Sequence, residues 1–581
     1  MDLIKNHYGA VKFERSEHWL RAEEYLFYFP PLRFNRFLLF PAALLIQLSV
    51  GSLYAWSGYN LPIEAYIYGR NGGVDRNIAS NIFYVAVGVF GLTAALLGPW
   101  LERRGPMLGC LVGALFFYAG NLLAGLGVYT QHIELVIFGY GIIGGIGLGI
   151  AYIAPVSPLQ KWFPEARGIA AGVAVCGFGG GSIIAPYSQK FLIGVNYHKT
   201  GEVGIVGVPL TFVILGSIYF VAMMLSALVL RMPPPGYSVK GITIDTIKGA
   251  EAFQGRQSGD SASSDDIKKT SITTGSGLGQ QTLYERDSSA DLGGVRKDPA
   301  PVEEAADTSK GQVDSNVFAM TLAESLSSSE YWLMWFMFLG AQITGLLIIS
   351  KIQSIIQNQF KRDADAAALI NSLLGGANLL GRLVLPLLSD VLPHVSGGVA
   401  GRKSIFLFSL VTQAVCLSFL PLTIDDQRFG GFLACAFIIA FCYGGGFGVI
   451  PAFLADQFGA KNVGATHGII LMAWASGAVV GGLVFTEVLK KQQVKFAPNI
   501  VPIYDLNFRW ILGLVLMGFV LCIFIHTNLR DRRMPHVEGE VLRIRFINGR
   551  MIRFYRTGKM HMLSKHEEDS EWSDYLRTLG H

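Results

Sequence analysis

Residues Ile133–Pro155 read IELVIFGYGIIGGIGLGIAYIAP, twenty-three positions with one acid, no base and six glycines. A bilayer core about 30 Å thick needs roughly 20 mostly apolar residues to cross it as a helix. The stretch therefore reads as a membrane-crossing helix, with its glycines allowing close approach of neighbours in lipid. Working outward with the same window gives spans at Phe37–Tyr59, Ala79–Leu101, Met107–Tyr129, Gly168–Pro186 and Val208–Leu230. A second group lies at Tyr331–Ile352, Ala367–Leu388, Ser404–Leu422, Phe429–Leu454, Ala465–Glu487 and Phe508–His526.

Composition agrees with this reading. The 581 residues are 51% apolar and only 15% charged, where a soluble domain carries about a quarter charged residues. Mean hydropathy is +0.41. The net charge of +5 sits in tails and loops, not in a basic stripe on a soluble face, so no nucleic-acid partner is expected. The cysteines (Cys110, Cys176, Cys416, Cys435, Cys442 and Cys522) all fall inside apolar stretches and read as small core hydrophobes. No metal-spaced set, phosphate loop or nucleophile–base constellation is apparent, so no cofactor, metal or enzymatic activity is expected. The first 36 residues lack the pattern of a cleavable signal, and the first span should insert by itself.

From Met232 to about Ser327 the character changes to Ser, Gly, Asp, Thr and Lys, which cannot bury enough surface to order a chain. The expected organisation is an N-terminal segment over 1–36, a six-helix bundle over 37–230, a disordered linker over 231–327, a second six-helix bundle over 328–528, and a tail over 529–581. The halves echo each other. Glu102-Arg103-Arg104 follows the second span, and Ser389-Asp390 with Arg402-Lys403 follows the eighth; the Gly144–Gly149 run of the fourth is matched by Gly444–Gly448 in the tenth. Internal repetition of this kind marks secondary transporters, with substrate bound near mid-membrane between the halves. The layout resembles the major facilitator fold: an all-α membrane protein of two six-helix bundles related by a pseudo-two-fold axis, with a monomer as the functional unit.

Basic residues at Arg33, Arg36, Arg103, Arg104, Lys161, Arg167, Arg402, Lys403, Arg530, Arg532 and Arg533 share one side. They place both termini in the cytoplasm, against the exception of Lys490, Lys491 and Lys495. A plasma membrane is the expected location. In the tail, apolar residues on either side of Asn548-Gly549 signal a hairpin, either resting on the protein or membrane or docking a partner.

Ionisable side chains inside spans are candidates for function. Arg382 in the eighth span suits a carboxylate clamp, because its planar fork matches two oxygens; the alternative is a buried charge tied to backbone carbonyls or to Asp390. Lys351, toward the end of the seventh span, either faces the cavity or snorkels to the interface. Asp390, Asp456 and Glu487 fall at span ends, as helix caps or partners of loop bases. His467, at the start of span eleven, is the one side chain there suited to titrate near neutral pH; the competing reading is a satisfied interfacial histidine. Tyr54, Tyr152, Tyr443, Phe447 and Trp474 are the cavity-side aromatics.

The sequence also resembles the oxalate/formate antiporter family, near the monocarboxylate transporters. The resemblance covers most of residues 36–230 and 328–530. It rests on Gly51-Ser52-Leu53-Tyr54-Ala55-Trp56, on Lys161-Trp162-Phe163-Pro164-Glu165-Ala166-Arg167-Gly168, and on Asn378-x-x-x-Arg382. It implies that Arg382 grips substrate and that Tyr54 and Tyr152 donate hydrogen bonds to a carboxylate. Asn378 stands where monocarboxylate transporters typically carry a proton-coupling aspartate. Trp474 stands where the oxalate carrier has a second cation, with Leu53 and Phe447 replacing a glutamine and a tyrosine. The expected function is alternating-access transport of a small carboxylate, oxalate-like or a monocarboxylate, working by exchange or facilitation. The rivals are a proton-coupled monocarboxylate symporter, and a non-transporting sensor or assembly subunit.

Overall fold

The computed structural model describes residues 25–28, 31–69, 78–194, 197, 201–240, 242–244, 320–395, 401–496, 501–527, 529–545 and 550–578. Twelve of its helices are long and apolar enough to cross a membrane. They are Arg36–Ala55, Ile78–Arg104, Pro106–Tyr129, Ile133–Trp162, Pro164–Ile193 and Gly207–Ala227, then Ser329–Asn358, Asp365–Pro393, Arg402–Asp425, Phe429–Phe458, Val463–Phe496 and Pro502–Phe524. The start of the first helix and the end of the twelfth lie on one face of the bundles, here called the terminal face; the other is the far face. Large apolar side chains such as Leu92, Ile218, Leu422 and Val480 point outward from the bundles, as a lipid solvent permits.

Several helices outrun their hydropathy windows. The seventh continues to Asn358, so Lys351 lies well inside it and not at its end. The first tightens to a 3-10 turn over Ser52–Ala55 and resumes as Ser57–Tyr68. The Gly51–Trp56 motif is thus a local break in helical winding, the kind of irregularity that re-aims side chains. Between the second and third helices Gly105 adopts φ 89° and Pro106 opens the new helix, each suited to its position by backbone preference.

The second helix packs along the eleventh and the fifth along the eighth, forming the seam between the bundles. Close packing of the eighth and tenth fixes the site. A Cβ on Gly381 would lie 2.0 Å from Phe441 O, and one on Gly444 would lie 2.0 Å from Asn378 O. Only glycine allows these two backbones to touch, and Arg382 follows directly on that contact.

The terminal face is closed by two pseudo-symmetric clasps. Glu102, ending the second helix, accepts from Gly464 N (2.7 Å) at the start of the eleventh and pairs with Lys161 (2.6 Å). Asp390, in the eighth, accepts from Gly168 N and Ile169 N (3.2 and 2.9 Å) in the first turn of the fifth and pairs with Arg402 (3.0 Å). Each acid therefore meets the positive end of a helix in the other bundle. Arg402 also holds Asp456 (2.6 Å), which lies 3.8 Å from Arg167 across the seam. Glu487 faces Lys491 at 3.7 Å, so these three carboxylates take the capping and pairing roles expected of them.

The linker's two ends depart from the expectation of disorder. Residues 231–244 carry a short hairpin, Ser238–Val239 with Ile242–Thr243. Its Tyr237 hydroxyl donates to Trp162 O (3.2 Å), and Arg167 donates to Ile244 O (3.1 Å). Ile244 packs on Ala455, Ala460 and Val463 of the second bundle. At the other end Thr321 caps helix Leu322–Ser327 in a capping box with Glu324. Apolar and aromatic side chains at these ends give each a surface to pack on. Residues 245–319, where the expectation of disorder chiefly falls, lie outside the described residues.

In the tail, Glu540–Arg545 pairs with Met551–Tyr555, and Met560–Met562 adds a third strand. Helix Lys565–Thr578 follows. The Asn548-Gly549 turn lies outside the described residues. A core of Met534, Met551 and Leu563 is small; charge supplies the rest. Arg545 bridges Asp531 and Glu568 (2.5 and 2.8 Å), Arg543 pairs with Glu540 (2.6 Å), and Arg553 with Glu571. Burial alone would raise the Glu540 carboxyl, but hydrogen bonds from Arg543 and Val537 N–H hold it below the usual range.

Candidate functional site

Arg382 is fully buried midway along the eighth helix. Its Nε donates to Asn378 Oδ1 (2.9 Å), one turn back, and its Nη1 to Val175 O (3.2 Å) in the fifth helix. Nη2 has no hydrogen-bond partner. Asp390 is engaged elsewhere, and among the described residues no carboxylate pairs with Arg382. The guanidinium stacks between Phe447 (4.5 Å) and Phe178 (5.0 Å). Aromatic faces attract a cation without neutralising it, so the group is held rigidly with its charge intact. Asn378 matters here: an amide fixes Nε as a carboxylate would, but adds no negative charge.

Tyr152 is also buried, with its ring against Phe178, Phe90 and His467, and its hydroxyl unpaired. His467 is wholly buried, contrary to the interfacial reading, and neither ring nitrogen has a partner. Its helix starts at Val463 and dives at once into the seam, which places a residue only four positions from the helix start in the interior. Trp474 closes the box. Its edge meets Phe90 and Phe447, and its Nε1 donates to the Tyr443 hydroxyl (2.9 Å). Tyr443 in turn meets Tyr54, hydroxyl to hydroxyl, across the seam. The structure thus joins Arg382, Tyr152, His467, Trp474, Phe447, Tyr443 and Tyr54 in one buried cluster at the seam between the bundles.

Lys351 stands apart from them. It lines a cavity of ≈ 50 Å³ with Tyr54, Ser57, Asn60, Tyr84 and Ser350, and its Nζ lies 3.4 Å from Thr486 Oγ1. Tyr54 is shared, forming a wall of both spaces. Of the two positions expected for Lys351 it therefore takes a cavity-facing one, but not beside Arg382: the tyrosine pair lies between them. Phe90, Phe178 and Gln342 were not singled out from the sequence. Gln342 is buried, with neither its oxygen nor its nitrogen paired, and a Cβ on Gly446 would meet it. A buried amide in the seventh helix was the available signal.

The sequence profile of the Major Facilitator Superfamily matches residues 33–482. The chain belongs to that superfamily. This major facilitator is 24% identical over 447 residues to YhjX of Escherichia coli, an uncharacterised MFS-type transporter, covering 77% of this chain and 86% of that one. It is 24% identical over 408 residues to apicoplast pyruvate carrier 1 of Toxoplasma gondii, covering 65% of this chain and 62% of the carrier. It is also 24% identical over 210 residues to the oxalate:formate antiporter of Oxalobacter formigenes, covering 36% and 45%. Among solved structures, the proton:xylose symporter XylE superposes with a TM-score of 0.55 at 14% identity, covering 85% of this chain and 98% of that one; that likeness concerns the fold. The protein is a multi-pass integral membrane protein with the architecture of a transporter.

Proposed function

We propose that this major facilitator carries a small carboxylate by alternating access and that Arg382 is the group that holds it. One observation carries the reading: a buried guanidinium with an unpaired Nη2, no carboxylate partner among the described residues, and an unpaired Tyr152 hydroxyl in the same aromatic box. A carboxylate would supply the missing charge and accept from both donors. A neutral sugar would leave the charge uncompensated in a site walled by Phe178, Phe447 and Trp474. The pyruvate and oxalate:formate carriers among the relatives favour the same class. A single cation suits a monocarboxylate better than a dianion.

In this reading the clasps at Glu102 and Asp390 keep the terminal face shut while the far face offers access. Rocking of the bundles would then reverse the two. The concentration of bases on the terminal face supports a cytoplasmic position for both termini, and the plasma membrane is the proposed location. That no acid among the described residues lies beside Arg382 favours exchange or facilitation. His467, buried with both nitrogens unpaired, supports a second reading in which a proton travels with the anion.

The test is purified protein in liposomes, assayed for uptake of labelled pyruvate, formate and oxalate with and without a pH gradient. Uptake that disappears in Arg382→Gln is expected. Failure to move any carboxylate, or full activity of that variant, would overturn the proposal.

A further inference from the structure

The cavity beside Lys351 carries a second inference, which rests on the anion reading above but concerns a different place. Lys351 occupies a membrane-crossing helix, where a cation is costly and normally has a use or a counter-charge. Among the described residues it pairs with no carboxylate; its Nζ lies 3.4 Å from Thr486 Oγ1 and 6.0 Å from the Phe485 ring. Hydroxyls of Ser57, Ser80, Tyr84 and Ser350 and the Asn60 amide share the wall of its cavity with the apolar Trp56, Phe83, Leu346 and Ile349. The Asn60 side-chain oxygen is buried and unpaired. At ≈ 50 Å³ the space exceeds the 10–15 Å³ or so that one water needs several times over, so a carboxylate group fits it.

Its place in the helix gives the cavity a role. The Tyr443 ring packs on Gly345, where a Cβ would lie 2.3 Å from it. Lys351 is six residues further toward the far face, about 9 Å at the helical rise. The tyrosine pair therefore stands between the two cations. We propose that the Lys351 cavity is a separate outer anion site: it draws a small carboxylate in from the far face and holds it until Tyr54 and Tyr443 part, when the anion passes to Arg382. An ammonium suits this role, being a point charge that binds without demanding one geometry.

Two measurements test the proposal independently of transport by Arg382. In Ser350→Cys protein, the anionic sulfonatoethyl methanethiosulfonate added from the far face should react at least tenfold faster than the cationic trimethylammonioethyl reagent, and pyruvate or oxalate should slow it. In Ser350→Cys with Lys351→Gln that preference should vanish; with Lys351→Arg it should survive. Equal labelling by both reagents, or a preference unchanged by Lys351→Gln, overturns the outer site. In liposomes, Lys351→Gln should raise KM about tenfold for substrate presented at the far face, with kcat and the terminal-face KM unchanged. An equal change on both faces would mark a structural role and overturn the proposal. If no carboxylate is transported yet the Lys351-dependent preference persists, the carboxylate reading fails and the outer anion site stands.

Discussion

The hydroxyls of Tyr54 and Tyr443 meet across the seam between the bundles and separate the Arg382 cluster from the cavity that opens beside Lys351. Neither residue belongs to a charged pair, so this closure is weak compared with the clasps on the terminal face. A neutral hydrogen bond contributes about 1 kcal/mol net. Tyr443→Phe should therefore increase far-face access to the central cluster by roughly fivefold. The labelling rate of a cysteine placed at Phe447 measures this, and an unchanged rate would show that the hydroxyl contact does not gate.

Asn378→Asp should convert the site. An ionised aspartate 2.9 Å from Arg382 Nε, in place of the amide, would compete with substrate for the guanidinium. Anion uptake at pH 7.5 should fall by about tenfold or more, since each 1.4 kcal/mol is a factor of ten. Uptake should recover as the pH drops and the new carboxyl takes a proton. A flat pH profile from 5.5 to 7.5 would contradict this.

Glu102→Gln together with Asp390→Asn should loosen the terminal face. Hydrogen bonds to charged groups contribute about 1.5–3 kcal/mol each, and both acids cap helices of the opposite bundle. The conformational equilibrium should move toward an open terminal face by at least tenfold. Distance measurements by paired spin labels across that face would register it; unchanged distances would remove the clasps from the gating scheme.

Gly444→Ala should damage the scaffold rather than the chemistry. Its Cβ would collide with Asn378 O at 2.0 Å, and backbone cannot yield as a flexible side chain does. Overpacking of this kind costs about 1–3 kcal/mol, so the detergent-solubilised protein should lose thermal stability. Retained stability would mean that the eighth and tenth helices can separate without loss.

The tail offers a pH prediction. The Glu540 carboxyl is held below its usual value in the folded tail. The sign follows from linkage: stabilisation is present above the unfolded carboxylate pKa, near 4.3, and is lost as the pH falls through the lowered folded value. Hydrogen exchange in the strands Glu540–Arg545 and Met551–Tyr555 should stay slow at neutral pH and accelerate below about pH 4. Glu540→Gln should remove that component, and exchange independent of pH in the wild type after correction for intrinsic rates would refute it.

The twelve spans and their repeat were readable because hydropathy and glycine runs are local signals. Arg382 stood out as a charge within a span, Tyr152 as one of the cavity-side aromatics, and Asn378 through the family resemblance. The separation of Lys351 from Arg382 was not. It depends on how the seventh helix sits against the tenth at Gly345, and on a 3-10 break that turns Tyr54 across the seam. The position of His467 was misjudged for a related reason: distance from a helix end does not report depth when that end is itself buried by another helix. The tail's third strand and helix escaped notice because ion pairs outweigh apolar residues in that fold, leaving little periodicity to read.

The pairing of Arg382 with an amide instead of an acid reaches beyond recognition. On the proposed reading, the central site of the empty carrier holds one positive charge that no described acid cancels, and a bound monoanion neutralises it. Membrane voltage, which acts with about 2.3 kcal/mol per charge per 100 mV, would then act on the central site when it is empty and little when it is loaded, while Lys351 contributes alike to both forms. A cell could thereby favour exchange over net flow through its resting potential, with no separate coupling ion.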